Sequence, residues 1–222
     1  MCAVIDRASS QYQAAKDKVK IGYFTERGHD VTGLIHVGAN DGYEVDYYLE
    51  MGIKPILCFE PERTAREILQ YRYGAHPDVQ IRREALGNLN CSAQLQVPHG
   101  GTGGSSFLPL PEWDRCIAVE VVSIWRFASL ASSFDLSLYN CLVLDVQGME
   151  LDVLRGMDEH LCSFDFLNIE CSEEPIYRGE ARADEVIAYL RRMGFRQETP
   201  VQPHDDVLFI RYGVVPNKNE RK

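Results

Sequence analysis

Nothing in this 222-residue sequence approaches the run of about 20 apolar residues that a membrane-spanning helix needs. The amino-terminal stretch Met1-Cys2-Ala3-Val4-Ile5-Asp6-Arg7 turns polar before an apolar signal core forms, which points to a cytoplasmic protein without membrane insertion. Basic side chains are also in short supply. Against 33 Asp and Glu stand only 23 Lys and Arg, a formal charge of −10, so the electrostatic footprint for nucleic acid or an anionic membrane is lacking. The seven cysteines are odd in number and never form C-x-x-C, which argues against a zinc site and against a disulfide framework. Cys58, Cys141 and Cys171 fall instead within apolar runs and read as buried thiols. No linker-like stretch interrupts the chain, so residues 1–222 read as one domain: a helical cap at 1–32, a core at 33–212 and a tail at 213–222.

What is present is an alternation of short apolar runs with amphipathic segments. Residues 5–27 suggest one or two amphipathic helices, either a cap on the fold or a surface for a homo-oligomer. Strands are expected at 34–37, 55–59 and 79–85, with helices at 44–51 and 62–73 between them. Two further strands at 91–97 and 116–124 flank a glycine-rich stretch, and a short helix follows at 125–133. The alternation then resumes with a strand at 141–146, a helix at 150–155, a strand at 164–170 and a helix at 183–193. Parallel βαβ units follow from this rhythm, with ligands outside the carboxyl ends of the strands. The last two segments, 194–198 and 206–211, are too close in sequence for a parallel crossover and must pair antiparallel. The fold class is therefore α/β, Rossmann-like and doubly wound, a mostly parallel seven-stranded sheet with one antiparallel C-terminal strand. That ending is usual for methyltransferases and less so for dinucleotide dehydrogenases.

Chemistry concentrates after the first strand. The turn Gly38-Ala39-Asn40-Asp41-Gly42 lets a ligand approach the backbone, and the helix behind it offers free N–H groups. Glu60 ends the second strand 18 positions past Gly42, placed to accept hydrogen bonds from the hydroxyls of an adenosine ribose. A nicotinamide fingerprint requires G-x-G-x-x-G, yet Asn40 occupies the second glycine position and Gly42 comes one place early. Asp145 and Glu170 end consecutive central strands, where either carboxylate reaches a reacting hydroxyl as general base. His99 and His204 lie in loops that share that edge. Two carboxylates are a sparse donor set for a divalent ion, and no metal is expected. Residues 100–106 read as a lid or as a slack connection. Tyr47, Tyr48, Trp113 and Trp125 read as core aromatics rather than as a platform for a sugar ring.

Taken in order, the segments His36-Val37-Gly38-Ala39-Asn40-Asp41-Gly42, Phe59-Glu60-Pro61, Ala85-Leu86-Gly87, Gly104-Ser105-Ser106, Asp145-Val146-Gln147-Gly148-Met149-Glu150 with Leu154 and Gly156, and Asn168-Ile169-Glu170 resemble those of FkbM-type methyltransferases. The resemblance spans about 34–211. It implies S-adenosylmethionine as methyl donor and O-methylation of a saccharide or secondary metabolite, a small-molecule hydroxyl acceptor. By position it implies that His36, Gly38, Asn40 and Gly42 approach the methionine portion, Glu60 and Pro61 the ribose, and Glu84, Ala85 and Leu86 the adenine, with Ser105 and Ser106 closing the site and Asp145 facing the reacting end. Two positions depart from the family's pattern: an acidic residue is common where His36 stands, and a glutamate where Gln147 stands. A nicotinamide-dependent oxidoreductase on the same core and a non-catalytic S-adenosylmethionine-binding module are the two other readings.

Overall fold

The computed structural model describes residues 20–99, 101–203 and 205–217. Seven strands form the main sheet: β1 (Leu34–Val37), β2 (Ile56–Phe59), β3 (Val79–Arg82), β7 (Cys141–Leu144), β8 (Phe166–Cys171), β9 (Phe195–Gln197) and β10 (Asp205–Arg211). Their order is β3-β2-β1-β7-β8-β10-β9. The first five are parallel and β10 runs antiparallel to both β8 and β9. The architecture read from the sequence, a mostly parallel seven-stranded sheet with one antiparallel C-terminal strand, is therefore the one observed.

The central strands are buried on both faces, which explains why they read as unbroken apolar runs. Ile35, Val37, Leu57, Phe59, Leu142, Leu144, Leu167 and Ile169 pack on one face. They meet helices α5 (Glu150–Met157) and α6 (Ala183–Arg192) through Leu154, Met157, Val186 and Leu190. Leu34, Ile56, Cys58, Cys141, Val143 and Phe166 face the other way, against α1 (Gly22–Glu26), α2 (Tyr43–Glu50) and α3 (Arg63–Tyr73). Cys58, Cys141 and Cys171 are buried in these layers. Of the amino-terminal helices expected at 5–27, only α1 falls within the described residues; the rest of that segment lies outside them.

The third expected strand, 79–85, is corrected. It divides into β3 at the edge of the main sheet and β4 (Ala85–Leu86), which joins a second sheet of order β4-β6-β5 with β5 (Cys91–Pro98) and β6 (Cys116–Trp125). The chain leaves the main sheet at Arg83 and Glu84, where Arg82 grips the Glu84 carboxylate with Nε at 3.1 Å and Nη2 at 2.6 Å. Because β6 runs through Trp125, the short helix that follows, α4, begins only at Phe127 and ends at Leu130. Tyr48 is core, as expected, but Trp113 is 79% exposed and Trp125 38% exposed, so the two tryptophans are surface residues of this second sheet and its approach.

Two motif fragments far apart in sequence are the two sides of one contact. A methyl group on Gly156 of α5 would overlap the carbonyl oxygen of Gly87, which follows β4. Helix and small sheet approach this closely only because Gly156 has no side chain, and that approach sets the height of β4 beside the main sheet. Gly156→Ala is expected to destabilise the protein by about 1–3 kcal/mol through forced backbone displacement, read as a lower urea midpoint at unchanged slope.

Candidate active site

The strand order reverses between β1 and β7, and in open α/β sheets the crevice at such a switch point receives the ligand. Gly38, with φ +84°, lets the loop after β1 pass directly over the Asp145 backbone, where any Cβ would strike the Asp145 carbonyl. Here a cavity of about 470 Å³ opens. It is lined by residues that end or follow β1, β2, β7 and β8, among them Asp145, Gln147 and Glu170, by Glu84, Ala85 and Leu86, and by Gly103, Ser105 and Phe107 of the segment we call the roof. Gly38, Asn40, Glu60, Pro61, Glu84, Ala85, Leu86, Ser105, Asp145 and Glu170 all stand on its wall.

Three of the residues singled out in the sequence stand elsewhere. His36 is 1% exposed and lies behind the wall, its Nδ1 3.5 Å from the Tyr48 hydroxyl and its Nε2 3.3 Å from Glu44 Oε2. Burial pulls the His36 pKa down to about 4, so the ring is neutral at physiological pH, with the nearby Asp145 charge working the other way. Gly42 caps α2 at φ +80°, where a side chain would meet Leu69 and Tyr73. Ser106 is fully buried; its hydroxyl donates to the Gln147 carbonyl at 2.7 Å and accepts from Leu108 N at 3.0 Å. These three shape the site from its second layer. His99 is an exposed residue whose backbone N–H bonds the Arg115 carbonyl, and His204 lies outside the described residues.

The loop after β1 also differs from expectation in its hydrogen bonding. Gly38 N and Ala39 N donate to the Phe59 carbonyl, Asn40 N to Glu60 Oε2 at 2.8 Å, Gly42 N to the Ala39 carbonyl and Tyr43 N to Asp41 Oδ1. Those amides hold the loop's own shape instead of standing open to an anion. Glu60 is the hub: its other oxygen accepts from Glu62 N at 2.7 Å, while Glu62 caps α3 through Thr64 N and Ala65 N. Each Glu60 oxygen keeps a second lone pair for a ligand hydroxyl.

The wall is acidic. Asp41, Glu44, Glu60, Glu84, Asp145 and Glu170 line it, and among the described residues no lysine, arginine or histidine does. Burial pushes the Glu60 carboxyl up to about 7 and that of Glu150, just behind the wall, to about 8. Burial, then the Asp145 charge, lift Asp206 of β10 to about 7. Glu170 is driven far above the carboxylate range, first by the negative charge of Asp145 beside it and then by burial. Two carboxylates this close behave as a pair that holds one proton. Sequence reading missed Glu150, Asp206, Gln147 and Tyr177 as members of this group; only Glu150 and Gln147 lay in a recognisable motif. Among the described residues, no cluster of three or more His, Cys, Asp or Glu is arranged to hold a metal ion.

This sheet, with its crevice at the switch point, defines a Rossmann-like protein of the methyltransferase class. Residues 36–197 match the methyltransferase FkbM domain, and the chain belongs to that family. Among curated proteins it is similar to the 2-O-methyltransferase NoeI of Sinorhizobium fredii, 23% identical over 189 residues that cover 79% of this chain and 77% of NoeI. Among solved structures, monomeric WbdD superposes with a TM-score of 0.50 at 9% identity, over 92% of this chain and 41% of WbdD. The magnesium protoporphyrin IX methyltransferase of Synechocystis PCC 6803, solved with bound S-adenosylmethionine, gives 0.49 at 11% identity over 90% and 79% of the two chains. The likeness to WbdD is one of fold.

The raised carboxyls set a pH dependence. Each binds its proton more tightly folded than unfolded, so its contribution to stability is complete below the unfolded pKa near 4.5 and is lost as pH rises through the folded value. His36, depressed to about 4, works oppositely but only up to its unfolded value of 6.5. Between pH 6.5 and 8 the acids act alone, and the ligand-free protein is expected to lose thermal stability steadily across that window. Glu150→Gln should flatten the slope; a melting temperature that rises over this range would contradict the assignment.

Proposed function

We propose that this protein is an S-adenosylmethionine-dependent O-methyltransferase that methylates a hydroxyl of a saccharide or natural-product small molecule. The observation that carries the donor is the acidity of the cavity: six acidic side chains line it, Asp41 and Glu84 ion-paired from behind to Arg72 and Arg82, and among the described residues no basic side chain stands on the wall. Such a wall attracts a sulfonium and an ammonium and repels a dinucleotide's pyrophosphate. The loop amides already bonded within the protein point the same way. Ser105 supports a ligand at the roof, because its hydroxyl is buried on the cavity wall without a partner among the described residues. Family membership supports methyl transfer. The hydroxyl acceptor takes its support from NoeI, a 2-O-methyltransferase by name.

When bound, S-adenosylmethionine supplies a methyl carbon activated by its sulfonium, whose sulfur keeps the bonding pair as the methyl departs. The chain's part is placement and proton transfer. Glu60 and Pro61 would hold the ribose and Glu84 to Leu86 the adenine, with Gly38 and Asn40 nearest the methionine portion. Asp145 and Glu170, both on the cavity wall, would face the acceptor's hydroxyl. One of them, ionised, would take the hydroxyl proton and so free the oxygen's electron pair for the methyl carbon that the sulfonium gives up.

Saturable S-adenosylmethionine binding should raise the melting temperature, and NAD should not; no binding of the former would remove this reading. Glu60→Ala should weaken that binding about tenfold or more, and because Glu60 also pins Asn40 N and Glu62 N it should lower stability as well. Isotopic methyl donor added to a cell extract should label a hydroxyl-bearing small molecule. With that acceptor, Glu170→Gln should cut turnover by about 10²–10⁴ while donor affinity stays within a few fold.

A further inference from the structure

The turn after β7 is the least ordinary piece of backbone in the site. Gln147 and Gly148 both have positive φ, +53° and +98°. Glutamine rarely adopts that conformation, and where it persists the surroundings enforce it. Four hydrogen bonds do so here. Gln147 Nε2 donates to Asp145 Oδ1 at 2.5 Å and to Glu170 Oε2 at 2.9 Å. Its Oε1 accepts from the Tyr177 hydroxyl at 2.7 Å, and its main-chain carbonyl accepts from Ser106 Oγ at 2.7 Å. The Tyr177 hydroxyl also reaches the Gly104 carbonyl at 3.2 Å, so the roof segment is tied to the same point. With the Tyr177 hydroxyl donating to Gln147 Oε1, both N–H groups of the amide are left for the Asp145 and Glu170 carboxyls.

We propose that Gln147 is a positioning residue, aimed by Tyr177, whose amide holds the Asp145 and Glu170 carboxyls side by side as a pair sharing one proton. The bearing on catalysis rests on the function proposed above; the pairing itself does not. A glutamate at position 147 would add a third acceptor between two others. The glutamine supplies two N–H groups instead, and both favour the ionised form of the pair. The surroundings of the pair are otherwise acidic: Glu150 from α5, its carboxylate bonded to Val146 N and Gly148 N; Asp206 from β10, held by Asn168 Nδ2 with Lys20 beyond; and neutral His36 from β1. Tyr177 has Glu180 behind it, bonded to the Ile176 and Tyr177 amides. Among the described residues, Gln147 alone donates a side-chain N–H to both members of the pair.

The test is a carbon NMR titration of the intact protein labelled at its Asp and Glu side-chain carboxyls, with signals assigned through Asp145→Asn and Glu170→Gln. Wild type is expected to show two coupled steps for the pair, the upper one far above the ordinary carboxylate range. Loss of a donor to the ionised form raises that step, by about one pH unit or more in Gln147→Leu and about half a unit in Tyr177→Phe. Tyr177→Phe keeps the ring and removes only the hydroxyl, so it decides the matter even if Gln147→Leu fails to fold. A residue that merely fills space would leave the titration unmoved. Unchanged midpoints in folded Tyr177→Phe, or a single step at ordinary values in wild type, would overturn the proposal. Absence of S-adenosylmethionine binding would instead strike at the proposed function and leave the titration to judge Gln147.

Discussion

Repulsion between buried carboxylates is the constraint on which the rest of this site turns. Asp145 and Glu170 end adjacent parallel strands, Asp206 enters from the antiparallel β10, and Glu150 opens the helix after β7. A sheet that brings these strand ends together has no choice but to crowd their charges. Protons, amide donors and backbone N–H groups relieve the crowding in the ligand-free protein, at a cost to stability that grows with pH. Sites that must stabilise a ligand's charge are built at the expense of the fold that carries them.

The same frame explains why hydrogen-bond donors in the loops are turned inward. Glu60 draws Asn40 N and Glu62 N onto its carboxylate, and Phe59 O takes Gly38 N and Ala39 N. The loop after β1 is thereby braced against the end of β2, and its amides are withdrawn from the cavity. A phosphate site would have the opposite design. Overhead, Gly104, Ser106 and Tyr177 converge on Gln147, so roof, strand ends and acid pair form one hydrogen-bonded unit.

Much of the sheet was legible because its central strands are buried on both faces and its glycine turns are local signals. Leu34–Val37, Ile56–Phe59 and Cys141–Leu144 announce themselves as continuous apolar runs. The break between β3 and β4 was not legible, because it depends on a bidentate contact between Arg82 and Glu84 and on the depth to which Gly156 admits Gly87. Trp113 and Trp125 misled because aromatic residues usually mark a core, whereas Trp125 lies on the outward face of β6 and Trp113 on the exposed approach to it. In the site, Asp145 and Glu170 could be placed from strand ends alone. Tyr177 could not, since it sits in a connection without periodicity, and Gln147 showed only as a departure from a motif until the structure gave its amide three partners.

On the function proposed, the cavity selects a positive charge at the reacting end. Calorimetric affinities for S-adenosylmethionine and for its demethylated product, measured from pH 6.5 to 8.5, isolate the sulfonium, because the two ligands are otherwise alike. The ratio should rise in favour of the sulfonium ligand as the raised carboxyls ionise. A ratio that stays flat, or that falls with pH, would contradict it.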